Sequence, residues 1–186
     1  MPFVLSAFPV ARGASEIALE DSFLYPRSTG VHHGIDISGE PGLSIICPLL
    51  GQVVRTCKLG GNRVSGTGTS PKGGNYAVIV DLYRNFHYFA HMQKPASVAP
   101  GMWVTPLQVI GALGDTGIAR GRPHLHYQVW GPFTHNGADQ EYANLEFVYR
   151  FSGPINPYAE LVRLANLMGA RHNPGGRYFI PPITRR

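Results

Sequence analysis

Two short stretches carry the residues with the clearest chemical capacity: "GRPHLHYQVW", with His124 and His126 one residue apart, and "VHHGIDIS", with His32 and Asp36 four apart. In an extended strand alternate side chains share a face, so His124 and His126 point the same way. Two imidazoles side by side can ligate a metal, share a proton or fill a polar patch. His32 and Asp36 share a face in a strand and also in a helix. Gly34 between them, and Ile35 and Ile37 around the Asp, favour a strand or its first residues. A carboxylate between two isoleucines is costly without a partner or a cation. The blander alternative is an Asp that ends a strand and caps a turn.

A third stretch, "FHYFAHMQ", puts His87, Phe89 and His91 on one face of a regular strand, so either histidine can reach a shared site. The candidate site is therefore His32, Asp36, one or both of His124 and His126, and one of His87 and His91. Nitrogen and carboxylate ligands without thiolate suit zinc, and three protein ligands leave a position for water. The helical H-E-x-x-H motif is absent, so a zinc peptidase built from these residues needs a strand-based design.

The elements that must position them read as strands. Apolar, β-branched and aromatic runs recur between Gly and Pro, with 23 Gly and 16 Pro in 186 residues. "LSIICPL" and "GQVVRTC" read as one hairpin turning near Leu49 to Gly51. "NYAVIVDLY" and "FHYFAHM" read as a second, turning at Arg84-Asn85. "VIGALGDTG" is a short strand with a glycine turn, "PHLHYQVW" a further strand, and "RVSGTGTSPKGG" a loop. Helical periodicity is confined to "NPYAELVRLANLMG". There Asn156 is the expected N-cap, Pro157 the first helical residue and Gly169 the terminator, with Leu161, Leu164, Ala165 and Met168 as the apolar face. The tail "RYFIPPITRR" reads as a Pro-containing arm on the surface.

A composition of 44% hydrophobic and 15% charged residues is that of a globular chain. No apolar run approaches the roughly 20 residues of a spanning helix. The net charge of +5 suits an acidic partner such as a bacterial wall. The Lys and Arg are scattered and form no nucleic-acid motif, so neither nucleic acid nor membrane is an expected partner. Cys47 and Cys57 are the two cysteines; across the expected hairpin Cys47 faces a residue near 52 or 53, so free thiols are expected. The opening "MPFVLSAFPVARGASEIALED" lacks a positive n-region and is broken by Pro2 and Pro9, so it reads as an arm or first strand and not as a signal peptide.

These motifs, in this order, resemble those of the lysostaphin/LytM-type zinc metallo-endopeptidases of peptidoglycan. That pattern is H-x-G-x-D, a G-N-Y-x-V-x-V strand leading to Y-x-H-hydrophobic, then G-x-T-G and H-L-H-aromatic. Here the matching residues are "HHGID", "GGNYAVIVDLY", "YFAHM", "GDTG" and "PHLHYQV", over roughly residues 23 to 130, with "INPY" at 155 to 158 resembling the closing segment. The resemblance implies a mainly β fold, an antiparallel, sandwich-like LytM-type peptidase domain with one C-terminal helix and its site in a groove on the sheet. Carried over by position, it implies zinc ligands His32, Asp36 and His126, one Zn2+ per chain, and His91 and His124 as the catalytic pair. Spacing alone did not distinguish His124 from His126 as ligand; the resemblance does. His33 fills the variable position beside the first ligand. His87, His135 and His172 have no counterpart in the pattern.

The implied organisation is an N-terminal arm (1–22), a metallopeptidase domain (23–168) with an insertion at 131–153, and a basic tail (169–186). The implied activity is hydrolysis of peptide cross-links or stems of peptidoglycan, at a D-Ala to diaminopimelate link or a glycine bridge. Zinc lowers the pKa of its water, and the paired imidazoles handle protons and the oxyanion. The alternative is a non-catalytic wall-binding or virion structural module on the same fold. A monomer is expected. Without an evident export signal, delivery to the wall or periplasm by lysis, a virion or an injection apparatus is expected, as for an endolysin or an effector.

Overall fold

The computed structural model describes residues 3–28, 30–57, 67–68, 72–131 and 154–183. The first part of the chain supplies β1 (Ile17–Leu19), β2 (Pro26–Arg27), β3 (Gly30–Val31), β4 (Ile35–Ser38) and β5 (Ser44–Ile46). The middle of the chain supplies β6 (Gly51–Cys57), β7 (Thr67–Gly68), β8 (Asn75–Asp81), β9 (Phe86–Met92), β10 (Trp103–Val104), β11 (Val109–Ala112) and β12 (His124–Trp130). Then follow β13 (Pro154–Ile155), α1 (Tyr158–Leu167), β14 (Arg171–His172) and β15 (Tyr178–Ile180). The fold is thus mainly β with a single α-helix among the described residues.

One sheet runs in the order β10-β6-β8-β9-β12-β4-β1-β15-β14, with β13 added to β12 and β7 to β6. Its pairs are antiparallel except β6 with β7. β8 and β9 form the expected hairpin: Val80 pairs with Phe86, and Asp81 Oδ1 accepts the amides of Tyr83 and Asn85 across the turn, each at 2.8 Å. β12 lies between β9 and β4, where alternation splits its side chains. Leu125, Tyr127 and Val129 go to the core and His124 and His126 to the other face. Ile35 and Ile37 of β4 join the same core, leaving Asp36 on the histidine side.

The expected hairpin of "LSIICPL" with "GQVVRTC" does not form. β5 instead pairs with β11 in a separate two-stranded sheet, while β6 pairs with β8 and β10. The other edge of β5 is taken by the N-terminal segment: Ile46 N–H donates to the Pro9 carbonyl and Ala11 N–H to the Ser44 carbonyl. With both edges satisfied over the core, Ile45 and Cys47 are fully buried, a better outcome for an apolar strand than a local hairpin with one edge in water. Both cysteines are buried thiols outside any disulfide, as expected, although the hairpin behind that expectation is not there. Residues 178–180, read from the sequence as part of a surface arm, form β15 and pair with β1, with Ile180 in the core.

The helix begins one residue later than its sequence predicts, with Pro157 as the N-cap and Tyr158 as the first helical residue. Asn156 Oδ1 accepts the Tyr158 amide at 2.9 Å, and Pro157 is already in helical conformation. Leu161, Leu164 and Ala165 are buried, Met168 packs against the same core, and Gly169 ends the helix with φ of 77°.

Candidate metal centre and groove

Asp36 and His126 are brought together by register: they lie directly opposite on β4 and β12, with Ala90 of β9 opposite His126 on its other side. His32 enters from the segment just before β4. Its Nε2 lies 2.8 Å from His126 Nδ1 and 3.0 Å from Asp36 Oδ1. His126 Nδ1 lies 3.1 Å from the same oxygen. Gly34 makes this convergence possible, because a Cβ there would come within 2.7 Å of the Tyr127 carbonyl and 2.8 Å of the His126 ring.

Tautomers follow from the outer partners. His32 Nδ1–H donates to the Ser22 carbonyl at 2.8 Å, and His126 Nε2–H faces Gln128 Oε1 at 3.2 Å. In these tautomers His32 and His126 direct lone pairs at one point, where a carboxylate oxygen also points. Three acceptors in mutual contact are reconciled only by a cation between them, a proton or a metal. These three ligand atoms form the described cluster suited to holding a metal ion, and a donor set of two imidazoles and one carboxylate fits zinc. Asp36 is ready for that role. Burial would raise its carboxyl, but the imidazoles of His126 and His32 beside it outweigh burial and hold it well below the usual carboxylate range.

His91 and His124 stand beside this cluster with their rings 4.8 Å apart. His91 Nδ1–H donates to the Thr116 carbonyl at 2.8 Å and His124 Nδ1–H to the Arg122 carbonyl at 2.7 Å, so each has its Nε2 lone pair free. His124 Nε2 is 3.6 Å from Asp36 Oδ1, beyond a hydrogen bond. Burial pushes His91 down to about 4, helped by the neighbouring imidazoles, and burial lowers His124 as well. Both are neutral proton acceptors near pH 7.

His91 reaches the groove through a backbone irregularity. The register between β8 and β9 shifts between Asn75 and Ala77, and His91 has φ of 64°. This bulge breaks the alternation that would send His91 into the core with His87 and Phe89. The regular strand expected from "FHYFAHM" is corrected there: His87 and Phe89 are fully buried, while His91 turns to the histidine side. His87 Nδ1 lies 2.7 Å from Tyr127 Oη and its Nε2 3.3 Å from Asp81 Oδ2, a buried network behind the site.

The cluster opens into a groove of about 770 Å³ lined by His32, Asp36, His91, His124 and His126 among others. His33 and Tyr88 also line it, and the Tyr88 ring is 5.9 Å from that of His126. Tyr127 is core and Tyr25 lines a neighbouring depression, so neither faces this groove. His172 is exposed against Tyr178, and His135 and the insertion beyond Gly131 lie outside the described residues up to Pro154. Sequence reasoning missed Thr116, Gln128, Ser22 and Arg27. Gln128 is two residues from His126 on one strand face, a period that points to it. Thr116 sits in the quoted "GDTG". Nothing local marks Ser22 or Arg27, whose guanidinium donates to Asp36 Oδ2 at 2.8 Å.

A β-sheet groove holding a His/Asp/His cluster and two further imidazoles is the architecture of a LytM-type peptidase domain. The profile of Peptidase family M23 matches residues 30–140, a range that includes His32, Asp36, His91, His124 and His126, and the chain belongs to that family. A protein assigned as a glycyl-glycine endopeptidase LytM from Ruminococcus gnavus superposes with TM-score 0.64 at 22% identity, over 88% of this chain and 61% of that one. A zinc-containing peptidase from Vibrio cholerae gives TM-score 0.52 at 26% identity, over 68% of this chain and 36% of that one. The catalytic domain of the antimicrobial peptidase lysostaphin from Staphylococcus simulans gives 0.54 at 22%, over 83% and 92%. This chain thus spans less than two thirds of the length of the first two proteins. Comparison with curated protein sequences gave no match.

Proposed function

We propose that this chain is a zinc-dependent endopeptidase that hydrolyses peptide cross-links or stems of bacterial peptidoglycan, with His32, Asp36 and His126 as metal ligands and His91 and His124 as catalytic residues. The observation that carries the reading is the convergence of three ligand atoms beside two imidazoles whose Nδ1 positions are tied to carbonyls. Membership of family M23 supports a peptidase, and the likeness to lysostaphin and a zinc-containing peptidase supports the metal and the wall substrate.

A zinc ion bound here supplies a Lewis acid for the scissile carbonyl and lowers the pKa of water. The chain's own residues do the rest. Ser22 and Gln128 hold the ligand rings in the tautomers that present lone pairs. Of the paired rings, one Nε2 takes the proton of the attacking water and returns it to the leaving amine. The other, on taking up a proton from solvent as the oxyanion forms, donates it in a hydrogen bond to that oxygen. The place of action is the cell wall.

Zymography on purified peptidoglycan, with and without chelator, tests the reading: clearing that chelator abolishes and zinc restores is expected. Wall binding with no new peptide termini, in zinc-replete protein, would instead establish a non-catalytic binding module.

A further inference from the structure

The groove carries positive charge that the proposed hydrolysis does not use. Resting on the peptidase reading, we propose that Lys72 and Arg122 form a subsite for a free carboxylate on the substrate peptide, so that the groove selects an anionic cross-link over a neutral glycine bridge.

Both residues line the groove and both are exposed. Their places are set by the two catalytic histidines. The Gly73 carbonyl accepts the His91 amide at 2.9 Å, which puts Lys72 next to the peptide that anchors His91. The Arg122 carbonyl accepts His124 Nδ1–H at 2.7 Å. The two segments adjoin: the Lys72 carbonyl accepts the Ile118 amide at 3.0 Å, and a Cβ on Gly74 would strike Thr116 and Gly117. The cations therefore rise from neighbouring turns that hold the His91–His124 pair.

Their charges are uncommitted. Among the described residues neither Lys72 nor Arg122 forms an ion pair, whereas the third lining cation, Arg27, is bound to Asp36. Asp36 is the groove's single described carboxylate, and both its oxygens are engaged. Asp115, close in sequence, turns an oxygen to the Gly121 amide at 2.9 Å. A peptide lying in this groove displaces water, which strengthens attraction between a carboxylate and the two cations. Arg122 can grip it with a planar fork and Lys72 as a point charge. Uncharged glycine gains nothing from either.

The test uses two peptides alike except at one group: a D-Ala to diaminopimelate cross-link with its free carboxylate, and the same cross-link with that group amidated. Wild-type protein with zinc is expected to show a kcat/KM about ten-fold higher for the acid, what one charge-assisted hydrogen bond carries. Uncleavable analogues binding to the metal-free protein are expected to show the same preference in Kd. The Lys72→Gln/Arg122→Gln variant is expected to bring both ratios to near one, with zinc content and melting temperature as checks on folding. Equal constants for acid and amide in the wild type would overturn the proposal without needing any variant, and so would a ratio unchanged in a folded double variant. Cleavage of both peptides at one rate leaves the peptidase reading standing and removes this one. No cleavage of either, with a Kd preference for the acid, removes the peptidase reading and keeps the subsite.

Discussion

Arg27 donates from Nη2 to Asp36 Oδ2 at 2.8 Å, while the other oxygen of the same carboxylate faces His32 and His126. The carboxylate is thus divided, one oxygen for the ligand cluster and one for a guanidinium on a separate β2–β3 hairpin. Such a partner fixes which oxygen is offered and at what angle. Arg27→Ala is expected to weaken zinc binding about ten-fold, the lower end of what lost outer partners cost. Competition with a chromogenic chelator measures it; unchanged affinity would reduce the contact to a surface ion pair.

The proposed division between ligands and catalytic residues has a two-column readout. His32→Ala, Asp36→Ala and His126→Ala are expected to lose stoichiometric zinc by elemental analysis. His91→Ala and His124→Ala are expected to keep it while losing peptidoglycan hydrolysis by about 10²-fold or more. Zinc retained in His126→Ala, or lost in His124→Ala, would reverse the assignment within the H-L-H pair.

Gly34 bears on the same centre without touching metal. An added methyl meets a backbone carbonyl and the His126 ring, so something must shift. Gly34→Ala is expected to cost about 1–3 kcal/mol of stability and to lower zinc affinity. Denaturant unfolding and metal competition would detect the two effects together, and an unperturbed zinc constant would contradict the close packing.

The buried His87–Asp81–Tyr127 network makes stability pH-dependent. Burial lowers His87 in the folded state, with Asp81 only partly offsetting it. Between that lowered value and the ordinary 6.5 the unfolded chain binds more protons. The stabilisation is therefore complete above pH 6.5 and declines as pH falls below it, by at most about 1.4 kcal/mol per pH unit for one group. Asp81 is held below its usual value despite burial, chiefly by His87, and its contribution declines in the same direction from about pH 3.8 downward. Melting temperature followed from pH 8 to 5 is expected to fall below 6.5, less steeply in His87→Gln. Parallel curves for the two proteins would place the dependence elsewhere.

Much of the β framework was legible because alternation is local. "PHLHYQVW" and "NYAVIVDLY" carry a strand pattern in their own residues and form β12 and β8, and the capping residues of α1 act within one turn. The failed hairpin of β5 with β6 shows the limit. Two adjacent apolar runs look like partners, yet β5 gains more by closing against β11 and the N-terminal segment, some sixty and thirty-five residues away in the chain. Local pattern carries no information on which distant edge is open.

The site divides in the same way. Residue types, their order and the period of two put His124 and His126 on one face and made His32 and Asp36 a pair, so the sequence alone determined a nitrogen-and-carboxylate chemistry built on strands. Tertiary structure decided the rest. Register set His126, and not His124, opposite Asp36; a bulge with positive φ turned His91 out of the core and left His87 in it; and Arg27 came to the free oxygen of Asp36 from another hairpin. Each of these depends on where one strand stops relative to another, a balance of burial and backbone pairing summed over the whole sheet.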